Sequence, residues 1–362
     1  MNFPFSESLK NPFKKESYLA IDIGTASIKM VELDGSKEKP VLKNYAVLET
    51  PGHLERLNDA IQTSSLKIVE QETAGLLRLL LREMNTRASS AVASLPAFSA
   101  FTTLIDIPLM SGRETAQAIQ YQAKSVIPLP LTEVVIDWLP IKEWSDEQGV
   151  KKQRLFLTAV PSEQIKRYQN IFRLAGLNLR VLEIETLSLA RILTARDPTN
   201  TLIIDIGARS TAMAIAAEGL LKYSAQTDFS GGFLTQAIAN GLGINTRRAE
   251  ELKRRRGLLG TGGEYEISTL MLPYLDVILG EVRRVKNLYE KNYSEKVERI
   301  ILSGGGANLL GLEKYITEQF KLPALKANPF NRVGYQAPAA PLVGNLGAPL
   351  AVALGLGMRG KN

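Results

Sequence analysis

The chain has no cysteine and a single histidine among its 362 residues. Without cysteine there can be no disulfide, no thiolate metal site and no cysteine nucleophile, and such a composition fits a reducing compartment. The lone histidine, His53, follows Pro51-Gly52 in an expected surface loop, which argues against a histidine-rich metal centre and a serine–histidine hydrolase. No apolar run reaches the ~18 residues that a spanning helix needs. Residues 1–16 hold no signal-peptide core, because Pro4, Pro12 and the lysines interrupt it; with Phe3, Phe5 and Phe13 among polar residues, this opening reads as a flexible tail. The expectation is a cytosolic protein, or one held at a membrane by something else. A net charge of +7 suits an anionic ligand or a place near anionic lipid without singling out nucleic acid.

What is present is a repeat. Leu19-Ala-Ile-Asp-Ile-Gly-Thr-Ala-Ser-Ile-Lys-Met returns as Leu202-Ile-Ile-Asp-Ile-Gly-Ala-Arg-Ser-Thr-Ala-Met, offset by 205 − 22 = 183 residues. Each copy reads as an apolar strand, an aspartate near its end, a glycine turn rich in small hydroxyl residues, and a second strand, which is the pattern of a β-hairpin. Gly24 and Gly207 allow a tight turn, whose N–H groups can cradle phosphate oxygens with Thr25, Ser27, Ser210 and Thr211 adding hydroxyls. Asp22 and Asp205 would repel bare phosphate. If the two hairpins face each other, a divalent cation has to stand between, and Mg²⁺ suits that role because it keeps most of its waters.

Between and after the copies, periodicity places a strand at Tyr45–Leu48, a helix at Val69–Met84 and a strand at Ala91–Leu95. A strand at Ser99–Ile107, a helix from the Ser111/Glu114 capping box to Ser125, a strand at Glu133–Leu139, a polar turn at Trp144–Lys152 and a strand at Leu155–Val160 form a small inserted unit. Ser162 is expected to cap a helix ending at Gly176, and a strand at Val181–Ile184 leads to a helix reaching Ala195. The second half continues with a strand at Leu220–Thr227 and helices at 231–240, 247–255 and 267–289, the last containing Pro273. Strand Arg299–Ser303 then runs into Gly304-Gly-Gly306, followed by a helix at Leu309–Phe320, a loop-like stretch at Pro323–Pro341 and a small-residue helix at Ala348–Met358.

The glycine turn after Ser303 sits between a strand and a helix, where backbone can approach a ligand. It is no Walker loop, since Leu312 stands where the phosphate lysine belongs. Glu250 and Lys253, three apart on one helix face, can hold a ribose and a purine edge; taken alone they read more simply as a solvent-exposed ion pair. The neighbouring Arg247, Arg248, Arg254, Arg255 and Arg256 read as a solvated face, with no aromatic platform interleaved for nucleic acid.

Two Asp-Ile-Gly hairpins, a Glu-x-x-Lys helix, a Gly-Gly-Gly turn and a final small-residue helix resemble, in this order, the actin, hexokinase and Hsp70 ATPase superfamily. The inserted unit, with Leu104-Ile-Asp-Ile-Pro108 and Ile127-Pro-Leu-Pro-Leu131, looks like the subdomain of the FtsA-like branch. Within that branch residues 17–362 resemble the PilM family, the cytoplasmic actin-like proteins of type IV pilus assembly. The resemblance implies an α/β actin-like ATPase (ribonuclease H-like) fold, two similar lobes around a nucleotide cleft. It implies a first lobe of 17–95 continued by 159–200 and 342–362, an insert at 96–158, a second lobe of 201–228 continued by 297–341, and an outer subdomain at 229–296. ATP and Mg²⁺ are implied as cofactors. Asp22, Gly24, Thr25, Ser27 and Lys29 match the first phosphate loop, with Lys29 as a phosphate-contacting lysine, and Asp205, Gly207, Ser210 and Thr211 match the second. Glu250 and Lys253 match base and ribose positions, Gly304, Gly305 and Gly306 the adenosine turn, and Asp22 and Asp205 hold the metal through water.

The implied partner is the cytoplasmic N-terminal tail of the membrane protein PilN, lying near Ala91–Phe101 and Ile127–Trp138, with pilus motor ATPases and self-association as further contacts. The same resemblance implies recruitment to the inner face of the inner membrane. Two departures matter: many members carry an acid where Ala212 stands, and Arg209 replaces a small residue. Loss of a positioned catalytic group typically costs ~10²–10⁴ in rate, so ATP binding with slow hydrolysis is expected. A small-molecule kinase of the same fold would need an acceptor base and a sugar pocket, for which no signature stands out. An FtsA-like filament protein would carry an amphipathic helix on a linker after the last core helix, where this sequence reads Lys361-Asn362.

Overall fold

The computed structural model describes residues 18–33, 40–49, 70–259 and 265–359. The opening segment and His53 lie outside them. The strands are β1 (Tyr18–Ile23), β2 (Ser27–Leu33), β3 (Val41–Glu49), β4 (Ser90–Leu95), β5 (Phe101–Pro108), β6 (Val134–Ser145) and β7 (Lys151–Pro161). They continue with β8 (Asn178–Ile184), β9 (Thr201–Ile206), β10 (Thr211–Ala217), β11 (Leu220–Thr227), β12 (Arg299–Ser303), β13 (Ala324–Lys326) and β14 (Gly334–Tyr335).

The repeat governs the topology. One sheet runs β14-β3-β2-β1-β4-β8 and another β11-β10-β9-β12-β13. In each, an antiparallel three-strand meander passes into two parallel strands, so β3-β2-β1-β4-β8 and β11-β10-β9-β12-β13 are the same path walked twice. Strands β1, β4 and β10 are buried along their whole length. That explains their unbroken apolar runs: a sheet covered on both faces leaves no solvent side to alternate towards.

Two helices bind the sheets together. Glu185–Thr194 leaves β8 of the first sheet and packs on β9, β10 and β11 of the second, whereas Val343–Gly357 packs on β1, β2 and β4. They cross so closely that a Cβ on Gly355 would stand 2.2 Å from the Ser188 carbonyl oxygen. The stretch Ala337–Gly357 is, contrary to the sequence expectation, long and apolar enough to cross a membrane by composition. Gly347, Ala348 and Leu350–Gly357 are nevertheless buried, which is why the helix is apolar on every side.

The third sheet, β5-β7-β6, is antiparallel throughout. Helix Gly112–Val126 covers one of its faces and starts at the expected capping box of Ser111 and Glu114. Alternation in β7 divides the packing: Leu155, Leu157 and Ala159 join Ile105, Ile107, Ile119 and Ala123 in a small separate core, while Phe156 and Val160 belong to the main one. The β6–β7 hairpin is longer than expected because Lys142, Lys151 and Lys152 disguise strand as polar turn. Other boundaries also shift. Ser162 is the first helical residue rather than a side-chain cap, the helix expected from Leu309 starts at Leu312 after a 3₁₀ turn, and the loop-like stretch contains β13 and β14.

A buried ion cluster ties the segment after the last helix to β8 and the helix that follows it. Arg191 grips Glu183 in fork geometry at 2.7 and 2.8 Å, Arg359 contacts the same carboxylate, and Ser188 donates to it at 2.6 Å. Burial would raise the pKa of Glu183, but the two arginines hold it down at about 2. Because the folded value lies below the unfolded one, this stabilisation is complete above the ordinary carboxylate range and is lost as pH falls towards 2. Glu183→Gln is expected to cost about 3–5 kcal/mol, since two guanidinium groups lose their counter-charge. Urea denaturation at pH 7 checks this, and the gap between variant and wild type should narrow from pH 5 to pH 3.

Candidate functional site

Asp22 and Lys29 are cross-strand partners in β1–β2, so both side chains leave the same face of the ribbon. Lys29 Nζ donates to Asp22 Oδ2 at 2.9 Å, and Ser94 Oγ, at the end of the parallel neighbour β4, donates to Oδ1 at 2.8 Å. The second ribbon repeats this placement with one change. Asp205 pairs in register with Ser303 of β12, whose hydroxyl adjoins its carboxylate and donates to the Ala348 carbonyl at 3.4 Å, but its cross-strand partner is Ala212. Asp205 Oδ1 is left buried without a hydrogen-bond partner.

The two turns are alike in detail. Gly24 N–H donates to the Ser27 carbonyl and Gly207 N–H to the Ser210 carbonyl, each at 3.0 Å. A Cβ at Gly207 would stand 2.9 Å from that carbonyl, so only glycine closes the turn this tightly. Thr25, Ser27 and Ser210 are half-buried at the turns. Thr211 is fully buried and gives its hydroxyl proton to the Phe229 carbonyl at 2.8 Å, which ties the turn to the segment before helix Gly231–Leu242.

The ribbons meet in a shared charge cluster to which Glu185 adds a third carboxyl. Burial would lower the pKa of Lys29, but Asp22, with Asp205 and Glu185 behind it, carries it above the ordinary lysine value. Burial pushes Asp205 up to about 6, against the adjoining Ser303 hydroxyl and the Lys29 charge. Burial and then Asp205 push Glu185 up to about 8, against a 2.9 Å hydrogen bond from the Ala97 N–H that favours the ionised form. One ammonium thus faces three carboxyls, and the unpartnered oxygen of Asp205 fits a cation or its water. Among the described residues no three acidic or histidine side chains converge as direct metal ligands, so an ion here would be held chiefly through its water shell.

The remaining sequence candidates adjoin this cluster. Gly304, at φ +77°, lies so close to the second ribbon that a Cβ would stand 2.6 Å from the Ile206 carbonyl oxygen and 2.9 Å from Asp205 Oδ1. A Cβ at Gly306 would strike the Ile206 side chain at 2.4 Å, whereas Gly305 is exposed and faces open space. Glu250 and Lys253 form a 2.6 Å ion pair with side chains only 16% and 12% exposed, which corrects the solvated reading. Lys253 Nζ also donates to the Gly231 carbonyl at 2.8 Å and Thr235 Oγ1 at 2.7 Å, and Gly231 N–H donates to the Gly207 carbonyl at 2.9 Å. Burial wins at Lys253 and lowers its pKa, while pairing outweighs burial at Glu250 and holds it at about 2. Arg254 joins Glu250 to Glu49 at the end of β3.

Sequence reasoning missed Glu185, Ser94 and Ser303. The serines are equivalent by topology, but their offset of 303 − 94 = 209 residues differs from the 183 of the hairpins, so unequal insertions hide the match. Glu185 looked like any acid in the first turn of a helix, a position acids favour anyway.

Residues 20–361 match the family model of the type IV pilus assembly protein PilM. A solved PilM–PilN type IV pilus biogenesis complex contains a chain similar to this one at 26% identity and a TM-score of 0.82, over 95% of this chain and 98% of that one. MreB5 of Spiroplasma citri bound to AMPPNP is similar in fold, at 14% identity and a TM-score of 0.55 over 94% and 95% of the two chains. The ethanolamine utilization protein EutJ from Carboxydothermus hydrogenoformans matches at 17% identity and a TM-score of 0.55 over 97% and 94%. The fold is therefore the actin-like ATPase fold.

The geometry of the cleft is open to two stability measurements. Gly305→Ala should leave stability within about 1 kcal/mol, whereas Gly304→Ala should cost about 1–3 kcal/mol through backbone strain, both read by urea denaturation. Between its unfolded and raised folded pKa, Glu185 keeps a proton that the unfolded chain has released, so its presence costs stability as pH rises from about 4.5 to about 8. Glu185→Gln should therefore gain on wild type by roughly 1–3 kcal/mol between pH 5 and pH 8. A gap that does not change with pH would show the carboxyl to be ionised throughout.

Proposed function

Because the chain belongs to the PilM family of type IV pilus assembly proteins, we propose that it is an ATP-binding scaffold of the pilus platform whose nucleotide state alters how it holds a partner peptide. The observation that carries this reading is the convergence of Asp22, Lys29, Glu185 and Asp205 from both halves of the repeat on one cleft edged by a glycine turn. The backbone N–H groups of the two hairpin turns and the Lys29 ammonium would hold phosphates. Asp205 and Asp22 would hold magnesium through its water shell, and the ion would supply neutralising charge for the triphosphate. Asp205 would receive its water shell at the free Oδ1, while both Asp22 oxygens already accept hydrogen bonds from Lys29 and Ser94. Gly304–Gly306 and the Glu250–Lys253 pair border the adenosine side.

Glu185, with its pKa raised by burial and by Asp205, is protonated at neutral pH, where it can donate a hydrogen bond to a water but not take a proton from it. With Ala212 in place of an acid, hydrolysis is expected to be slow. The solved PilM–PilN complex supports PilN as partner; the proposed contact is the cytoplasmic tail of PilN, which would place this chain at the inner face of the membrane. Of the expected docking region, β4 cannot take part, because it is buried between β1 and β8. The stretch around Ile127–Trp138, with Leu129 exposed and Tyr121 nearby on its helix, is left to receive an apolar tail.

The test is a titration of ATP with Mg²⁺ into wild type and Lys29→Ala, followed by titration of a PilN tail peptide in each state. Removing a charge-assisted contact should weaken ATP binding about 10- to 100-fold. Unchanged ATP affinity would count against the phosphate turn, and equal peptide affinity with and without ATP would count against coupling.

A further inference from the structure

The short 3₁₀ turn Ala97–Ser99, which connects β4 to β5, is gripped by two residues of the cleft. Its first N–H donates to Glu185 Oε1 at 2.9 Å. The ring of its second residue, Phe98, lies under the Arg209 guanidinium, 4.9 Å from centroid to guanidinium carbon. Glu185 begins the helix that leaves the first sheet, and Arg209 sits on the second glycine turn, two residues past Gly207. A three-residue segment is therefore held from both halves of the repeat at the point where the candidate phosphate turns face each other.

The three-stranded sheet begins directly after this segment. β5 starts at Phe101 and pairs with β7 along all eight of its residues, so a displacement of the turn is passed directly to β5. Elsewhere the sheet is pinned to the second half. Arg154 of β7, in fork contact with Asp106 at 2.7 Å on each arm, lies over the ring of Tyr293 at 4.3 Å, and Lys142 of β6 bridges to Glu295 at 3.0 Å. With that side anchored, movement at Ala97–Ser99 tilts the sheet.

The Arg209–Phe98 contact is of a kind that a polyanion can displace. The attraction of a guanidinium to an aromatic face is a charge–quadrupole contact, weaker than the full charge and two parallel hydrogen bonds that a phosphate offers. Arg209 is also the residue at which this chain departs from the small side chain expected on its turn.

We propose that Arg209 and Phe98 carry occupancy of the phosphate turns to the three-stranded sheet, Arg209 passing from the Phe98 ring to phosphate and releasing Ala97–Ser99. This rests on the reading of the cleft as a nucleoside triphosphate site. Arg209 is then a positioning residue whose stacked state marks the empty cleft.

The experiment is hydrogen exchange by mass spectrometry on the full chain, with and without ATP and Mg²⁺, alongside ATP titration, for wild type, Phe98→Leu and Arg209→Gln. In wild type, ATP should speed exchange across residues 97–108 by about threefold or more. Phe98→Leu should bind ATP within about threefold of wild type, yet its ATP-dependent exchange difference at 97–108 should shrink at least about fivefold. Arg209→Gln should lose the same difference, which guards against a packing defect peculiar to Phe98→Leu. Wild-type-sized differences in both variants would overturn the proposal while leaving the ATP reading intact, as would ATP binding by wild type with no change at 97–108. Failure of wild type to bind ATP would overturn both.

Discussion

Three carboxyl groups and one ammonium are held together in a partly buried cluster, and much of the architecture serves to keep them there. Such a cluster is unfavourable on its own terms: burial and mutual repulsion push Asp205 and Glu185 towards their protonated forms, against the Lys29 charge, Ser303 beside Asp205 and the Ala97 N–H on Glu185. A packed surround has to fix these groups, because a relaxed chain would let them swing into water. Two serines on neighbouring parallel strands, two glycine turns and the close approach of Gly304 and Gly306 to the second ribbon provide that fixation. The stabilising side of the balance lies behind the cleft, where Glu183 is matched by two arginines and the central helices cross at Gly355.

The structure is a duplication whose two ribbons differ at the residue facing the aspartate. Both ribbons present an aspartate backed by a serine, but one aspartate faces lysine and the other alanine across its hairpin. A second lysine would have neutralised Asp205 and removed the free oxygen that suits a hydrated cation. Lys29 alone leaves the cluster with surplus negative charge, which a divalent ion and the triphosphate accompanying it can satisfy together.

The three-stranded sheet is attached differently from the rest. It has its own small core beneath helix Gly112–Val126, while its other face meets Tyr293, Glu295 and β11 of the second half. Contacts of that kind, a stacked guanidinium and partly exposed ion pairs, contribute little each and are easily exchanged. Phe156 and Val160 of β7 nevertheless run into the main core, so the sheet is tethered there and a displacement at its start tilts it rather than carrying it off as a unit.

Local chemistry was enough to determine the hairpins, the glycine turns, the Ser111–Glu114 box and the apolar character of the last helix, because each depends on neighbours within a few residues. The repeated Asp-Ile-Gly turn fixed the α/β duplication and its aspartates for the same reason. Only the tertiary structure decided that Lys29 and Asp22 form one ion pair, that Thr211 is committed to Phe229, that Glu250 and Lys253 are enclosed, and that Glu185 and Ser94 belong to the cleft. Glu185 lies 163 residues from Asp22 and 20 from Asp205, counting 185 − 22 and 205 − 185. A charge acquires its role from what stands within a few ångströms of it, and that neighbourhood is assembled by sheet register and helix crossing between segments far apart in the chain.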